Sequence, residues 1–210
     1  MPSSTPRIPG RPARLAGAPP GPRQRDLRLT GLLDAAAALF VEQGVAATSI
    51  EDIAGRAGVA KGTFYHYFHD RAAMLEALRK RYSQHFADLV EAAMAACGPQ
   101  DWDGRLAAWT RATVKEYLAT YPLHDAIFHD PVVTQRCVIS EEAFVVSLAA
   151  LLHEGAAHGA WSIENPVSTA AFMFHGMHGL LDEAIATGAD TAMPAECIIR
   201  LFGRLVRCGE

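Results

Sequence analysis

Between Leu27 and Phe68 the apolar residues return at spacings of three and four, and Gly44 and Gly58 interrupt the pattern where one helix must give way to the next. That arrangement constrains this part of the chain to short helices around a shared core. In the first, Leu29, Leu32, Leu33, Ala36, Ala37, Leu39 and Phe40 fall on one face over 27–40, and Gly44 follows as a C-cap. In the second, about two turns long, Thr48 stands where a hydroxyl caps orphan amides, with Glu51 three residues on as its capping-box partner. Ile50, Ile53, Ala54 and Ala57 share a face, and Gly58 supplies the left-handed conformation of a sharp turn.

A third helix begins near Ala60, inside the stretch AGVAKGTFYHYF (57–68). At about 100° per residue, Phe64 and Phe68 point inward with Tyr67 beside them, while Lys61, Gly62, Tyr65 and His66 are left outside. A helix that approaches a phosphate backbone needs such a set: a cation, a glycine that lets the main chain come close, and polar ring tips that reach oxygens. A short helix, a glycine turn and a second helix with a polar outer face make a helix-turn-helix. The pattern is also that of an ordinary helical hairpin on a bundle surface.

The residues Leu33 to Leu78, LDAAAALFVEQGVAATSIEDIAGRAGVAKGTFYHYFHDRAAMLEAL, resemble the DNA-binding domain of the tetracycline-repressor (TetR) family of transcriptional regulators. The turn AGVAKGTFYHYF, and Phe40 followed by Gly44, carry the likeness most specifically. The resemblance implies an all-helical homodimer with three N-terminal helices on double-stranded DNA, at a palindromic operator, and a divergent C-terminal domain that binds a small molecule. It places DNA contacts at Thr48, Lys61, Gly62, Thr63, Tyr65, His66 and Tyr67, with a phosphate contact at Arg71. Two positions depart from the family's habit. Ala60 stands where a serine or threonine is frequent, and Arg71 where lysine is usual; arginine keeps the charge and adds a fork suited to phosphate. The stretch GVAKGT is no nucleotide-binding loop, because its lysine precedes the glycine and no strand leads into it.

The rest of the chain also reads as helix: from an Asp70 cap to about 96, then 103–120 closed by Pro122, a short piece over 123–128, 140–158, 166–187 opened by Asn165 and Pro166 and closed by Gly188, and 194–207. Nothing reads as a strand, so the fold class is all-α. The organisation is an Arg/Pro-rich arm over 1–26 expected to be disordered, a helix-turn-helix DNA-binding domain over 27–72, and a helical ligand-binding and dimerisation domain over 73–210. The helix over 166–187 is apolar nearly all round, with Gly176 and Gly179 open to a close neighbour. Together with the final helix it is assigned to the homodimer interface.

The net charge of −4 divides unevenly, because six arginines against Asp26 put +5 on residues 1–28 and leave −9 on the remainder. A basic arm lying along nucleic acid and a passive arginine-rich leader both fit that composition. Cys97, Cys137, Cys197 and Cys208 lack metal-knuckle or disulfide spacing. With no membrane-length apolar run and no secretory leader at the start, the expectation is a cytoplasmic protein. Histidines and carboxylates such as His124, Asp125, His129 and Asp130 raise a metal site, but no H-E-x-x-H or cysteine pair fixes its geometry. Neither metal nor cofactor is expected. Among the body's aromatics, each at a helical spacing that more often marks core than pocket, Trp109, Tyr117, Phe128 and Phe144, with His175, are the candidates to bind a ligand. No nucleophile elbow or dinucleotide fingerprint is present, so the chain is not read as an enzyme. The competing class is an all-helical small-molecule-binding protein without DNA, which would leave exposed Lys61, Tyr65 and His66 unexplained.

Overall fold

The computed structural model describes residues 22–128, 138–188 and 194–207, and these are helical, with no strand among them. The order is α1 (Pro22–Gln43), α2 (Ile50–Arg56), α3 (Lys61–Tyr65), α4 (Arg71–Ala95), α5 (Trp102–Phe128), α6 (Val138–Ala157), α7 (Pro166–Thr187) and α8 (Pro194–Leu205). The first helix starts at Pro22 rather than Leu27. Proline suits a first turn, whose amides have no partner within the helix. The remainder of the arginine-rich arm lies outside the described residues.

Leu32, Ala36 and Phe40 of α1 close on Ile53 of α2 and Phe64 of α3, and all five are buried. Gly44 ends α1 with φ of 83° and donates its N–H to the Phe40 carbonyl at 3.0 Å. The cap of α2 is one residue later than the sequence suggests. Ser49, not Thr48, is the N-cap, and its capping-box partner is Asp52, not Glu51: Asp52 N–H donates to Ser49 Oγ at 3.1 Å and Ser49 N–H to Asp52 Oδ2 at 3.0 Å. Burial of the Thr48 methyl turns that side chain away from the helix end.

Asp70 caps α4 by accepting from Ala73 N–H at 2.8 Å, and the helix then runs from the N-terminal unit into the body. Its buried stripe, Met74, Leu78, Tyr82, Phe86 and Val90, recurs at helical spacing and packs on α1, α5 and α6. Pro122 does not end α5, which runs through it to Phe128. A proline inside a helix forfeits a hydrogen bond and crowds the preceding turn, at about 3 kcal/mol. Burying Ile127 and His124 in the following turn offsets that cost.

The ends of α7 follow the sequence closely: Asn165 accepts from Ser168 N–H at 3.0 Å, Pro166 opens the helix, and Gly188 closes it at φ of 63°. Gly155 is required for a different reason. A side chain there would begin 2.3 Å from the Trp161 ring, which is buried against α6 while its indole N–H donates to Asp103 at 3.1 Å. The buried residues form one contiguous core from α1 to α8, so displacement in the body has a packed route to the helix-turn-helix.

Candidate nucleic-acid interface and the interior of the body

The sequence TFYHYF seats α3 by two phenylalanines. Phe64 and Phe68 are buried with rings 5.5 Å apart, and their anchorage turns Lys61, Gly62, Tyr65 and His66 to solvent as the helical wheel requires. Tyr65 is 50% exposed, unusual for a ring with so large an apolar area. No neighbouring atom lies within 4 Å of the point where a side chain on Gly62 would begin, so the main chain of α3 is open there. Thr63 is half-buried beside this face. Tyr67 is also half-buried, and its hydroxyl donates to the Arg25 carbonyl at 3.2 Å, tying the end of α3 to the start of α1. Arg23 and Arg25, which composition places in the arm, therefore stand exposed on an ordered helix beside α3.

Two of the expected contacts do other work. Thr48 is fully buried; its hydroxyl donates to the Gly44 carbonyl at 2.7 Å and accepts from the Gln43 amide at 3.3 Å. That side chain braces the α1–α2 turn and presents nothing to a nucleic acid. Arg71 holds the same loop from the other side, Nη1 donating to the carbonyls of Ala46 at 3.1 Å and Thr48 at 2.8 Å. Five guanidinium N–H donors leave room for a phosphate contact as well.

Lys61 is paired across the helix-turn-helix with Glu51. The hydrogen bond from Lys61 holds the Glu51 carboxyl below the usual range, and the same bond raises the lysine. Nothing in the pattern of either helix alone announces a pair formed over ten residues of sequence. Arg56 with Glu42 at 2.6 Å, and Arg81 with Asp34 at 2.7 Å, lace α1 to α2 and α4 in the same manner.

In the body, Trp109, Tyr117 and Phe144 are buried and Phe128 is half-buried, but His175 is not with them. It points outward on α7. The inner position belongs to His178, whose ring lies 4.8 Å from Tyr117 and 4.3 Å from Phe174. In a helix apolar nearly all round, neighbouring histidines carry no mark of which face is buried. Phe144 stacks on Phe174 at 5.6 Å and meets the edge of Phe86 at 4.2 Å, while His124 links Tyr117, Tyr82 and Phe128 at 5.0, 6.0 and 4.9 Å. Tyr117 donates to Asp182 at 2.5 Å; burial, with that carboxylate beside it, pushes the phenol far above the ordinary tyrosine range. Trp109 lies apart from this chain of rings and donates to Ser147 at 3.4 Å. No group of three or more metal-ligating side chains occurs among the described residues, and none of their helices is long and apolar enough to cross a membrane. His129 and Asp130 lie outside the described residues.

Residues 32–78, which hold the whole α2–α3 unit, match the family model for bacterial regulatory proteins of the tetR family. Over that stretch the chain is similar to the tetR-family DNA-binding region. Among the similar proteins, the HTH-type transcriptional repressor KstR2 of Rhodococcus jostii is 42% identical over 55 residues, which is 26% of this chain and 27% of that protein. The aligned stretch thus spans about a quarter of that relative's length. Over the whole fold, the fatty acid degradation regulator FadR of Bacillus halodurans superposes with a TM-score of 0.73 at 20% identity, covering 88% of this chain and 96% of that one. A complex of SmeT, the repressor of a Stenotrophomonas maltophilia multidrug efflux pump, with triclosan superposes at 0.70 with 21% identity, over 87% and 93% of the two chains. At such identities the likeness is one of fold alone.

Proposed function

We propose that this chain is a TetR-family transcriptional regulator, a repressor that binds a palindromic operator as a homodimer and leaves it when a small molecule enters the body. The observation that carries the reading is the outer face of α3, where Lys61, Gly62, Tyr65 and His66 stand exposed together on a helix anchored from behind by Phe64 and Phe68. Lys61, Arg71 and the arginines at the start of α1 supply attraction to phosphates; Thr63, Tyr65 and His66 are the side chains placed to meet base edges. Reading two half-sites requires a fixed separation between two such helices. The apolar outer face of α7 and α8, with Phe172 70% and Leu201 46% exposed, supports dimerisation through those helices.

A ligand acts by preferring one spacing of the two α3 helices. Moving from 1:99 to 99:1 between two states requires about 5.5 kcal/mol of differential affinity. The shared core lets α4 transmit the change, since its first turn holds the helix-turn-helix through Arg71 and its middle lies among the rings of the body. The test is a footprint of the purified protein on DNA flanking its own coding region. A protected palindrome supports the reading; failure to retain any genomic fragment, even at low salt, overturns it.

A further inference from the structure

The middle of α4 carries a charge that the body does not satisfy. Arg79 is only 6% exposed; its Nε donates to the Ile127 carbonyl at 2.6 Å, and its guanidinium lies 5.7 Å from the centroid of the Phe128 ring. Nη1 is 3.9 Å from the solvent-facing carboxylate of Glu76, too far for a hydrogen bond. Nη2 is buried without a hydrogen-bond partner, and so is Ser83 Oγ, one turn further along the same face of α4. Buried charges in folded proteins are ordinarily paired, and arginine cannot escape the cost by losing its proton. A guanidinium edge and a hydroxyl one turn apart on the same helix face supply the kind of donors that hold a carboxylate. Buried rings continue from it, with Tyr82 5.8 Å from Phe128, and Phe86 one turn beyond Tyr82.

We infer that Arg79 and Ser83 form the anion end of a ligand site that takes the carboxylate of a small organic acid, with the acid's apolar body lying along Phe128, Tyr82 and Phe86. This inference rests on reading the body as a ligand-binding domain. One guanidinium carries a single positive charge, which matches one carboxylate; the carboxylate of Glu76 nearby adds to the repulsion that a phosphate dianion would meet. The acid completes the hydrogen bonding of Nη2, and its binding bears on α4, the helix that enters the helix-turn-helix.

The test titrates the full chain with decanoate, 4-phenylbutyrate and benzoate, each beside its uncharged primary amide, and reads tryptophan fluorescence and thermal melting. At least one acid is expected to bind saturably and about tenfold or more tighter than its amide, the range of a hydrogen bond to a charged group. Arg79→Met is expected to remove that preference, and Ser83→Ala to weaken the acid by about three- to tenfold without changing the amide. Equal affinity for acid and amide, no saturable binding of any of the three acids, or wild-type acid affinity in Arg79→Met would overturn the site. Should Arg79→Met fail to fold, Ser83→Ala decides, because it leaves the bond from Arg79 to Ile127 in place; unchanged acid affinity overturns the proposal. Operator release measured in parallel separates the two readings. An acid that binds through Arg79 and leaves the protein on DNA overturns ligand-driven release and not the site, whereas release by amides and acids alike preserves release and overturns the site.

Discussion

Lys61 of α3 donates to the carboxylate of Glu51 on α2, so the cation at the centre of the exposed face is already paired in the free protein. Phosphate must compete with that carboxylate. Glu51→Gln is therefore expected to strengthen binding to specific and random DNA alike, most strongly at low salt, and Lys61→Ala to lower the salt slope by about one unit. Fluorescence anisotropy over a salt series checks both; a slope unchanged in Lys61→Ala removes this lysine from the phosphate contacts. The pH dependence has a definite sign. Because the lysine holds the Glu51 carboxyl below its usual range, the pair persists on acidification through that range and is lost only below it. Lowering the pH from about 7 to 5 is expected to release no affinity through this pair.

Thr48 is expected to act on DNA binding through order rather than contact. Thr48→Val keeps the shape and removes the hydroxyl that satisfies the Gly44 carbonyl, a loss of about 1–3 kcal/mol for an unmet buried acceptor. Urea unfolding measures it. A variant of wild-type stability with weakened operator binding would return Thr48 to the contact surface.

What the sequence disclosed follows from how local each signal is. The Asp70 and Asn165 caps, the Gly188 terminus and the inward Phe64–Phe68 pair depend on neighbours within a turn or two, and they stand where periodicity and capping chemistry put them. Thr48 and Ser49 are adjacent capping residues, and only the burial of one against α1 decides between them. Pro122 failed as a stop because the burial that carries α5 past it involves α4, far away in sequence. The exposed side of the candidate site was legible from one helix. The Glu51 counter-ion, the Arg71 clamp and the His178 cluster belong to pairs of elements and were not.

Gly155 tests the packing of the body. Gly155→Ala puts a methyl group 2.3 Å from the Trp161 ring, which cannot yield without breaking its bond to Asp103. Overpacking of this kind costs about 1–3 kcal/mol, and a lower melting temperature with a shifted tryptophan emission is expected. An unaltered melting curve would mean that α6 and Trp161 are less tightly joined than the distance states.

Tyr117 offers a second pH signature. Its phenol is raised far above the unfolded value, so the donation to Asp182 contributes stability below about pH 10, the ordinary tyrosine pKa, and loses it as pH rises toward the folded value. Tyr117→Phe is expected to be less stable than the wild type at neutral pH, with the gap narrowing in strong alkali. A stability difference independent of pH would deny the phenol that role.

The outer face of α7 should govern both assembly and DNA binding. Phe172 and Leu180 are 70% and 44% exposed, Gly176 and Gly179 lie exposed between them, and Leu201 and Leu205 of α8 are 46% and 37% exposed. Residues three, four and seven apart share one side of a helix, so these positions make a continuous apolar stripe with room for close approach of a second helix. A charge placed there costs the self-association and nothing in the monomer's core, because none of these side chains is buried within the chain. Phe172→Arg is expected to shift the protein from dimer to monomer in sedimentation while its helical circular dichroism is retained. Operator affinity should fall with it by at least about a hundredfold, since the second half-site is no longer delivered by the first. A Phe172→Arg protein that stays dimeric would move the interface off this face. A monomer that still protects both half-sites would separate operator recognition from dimerisation.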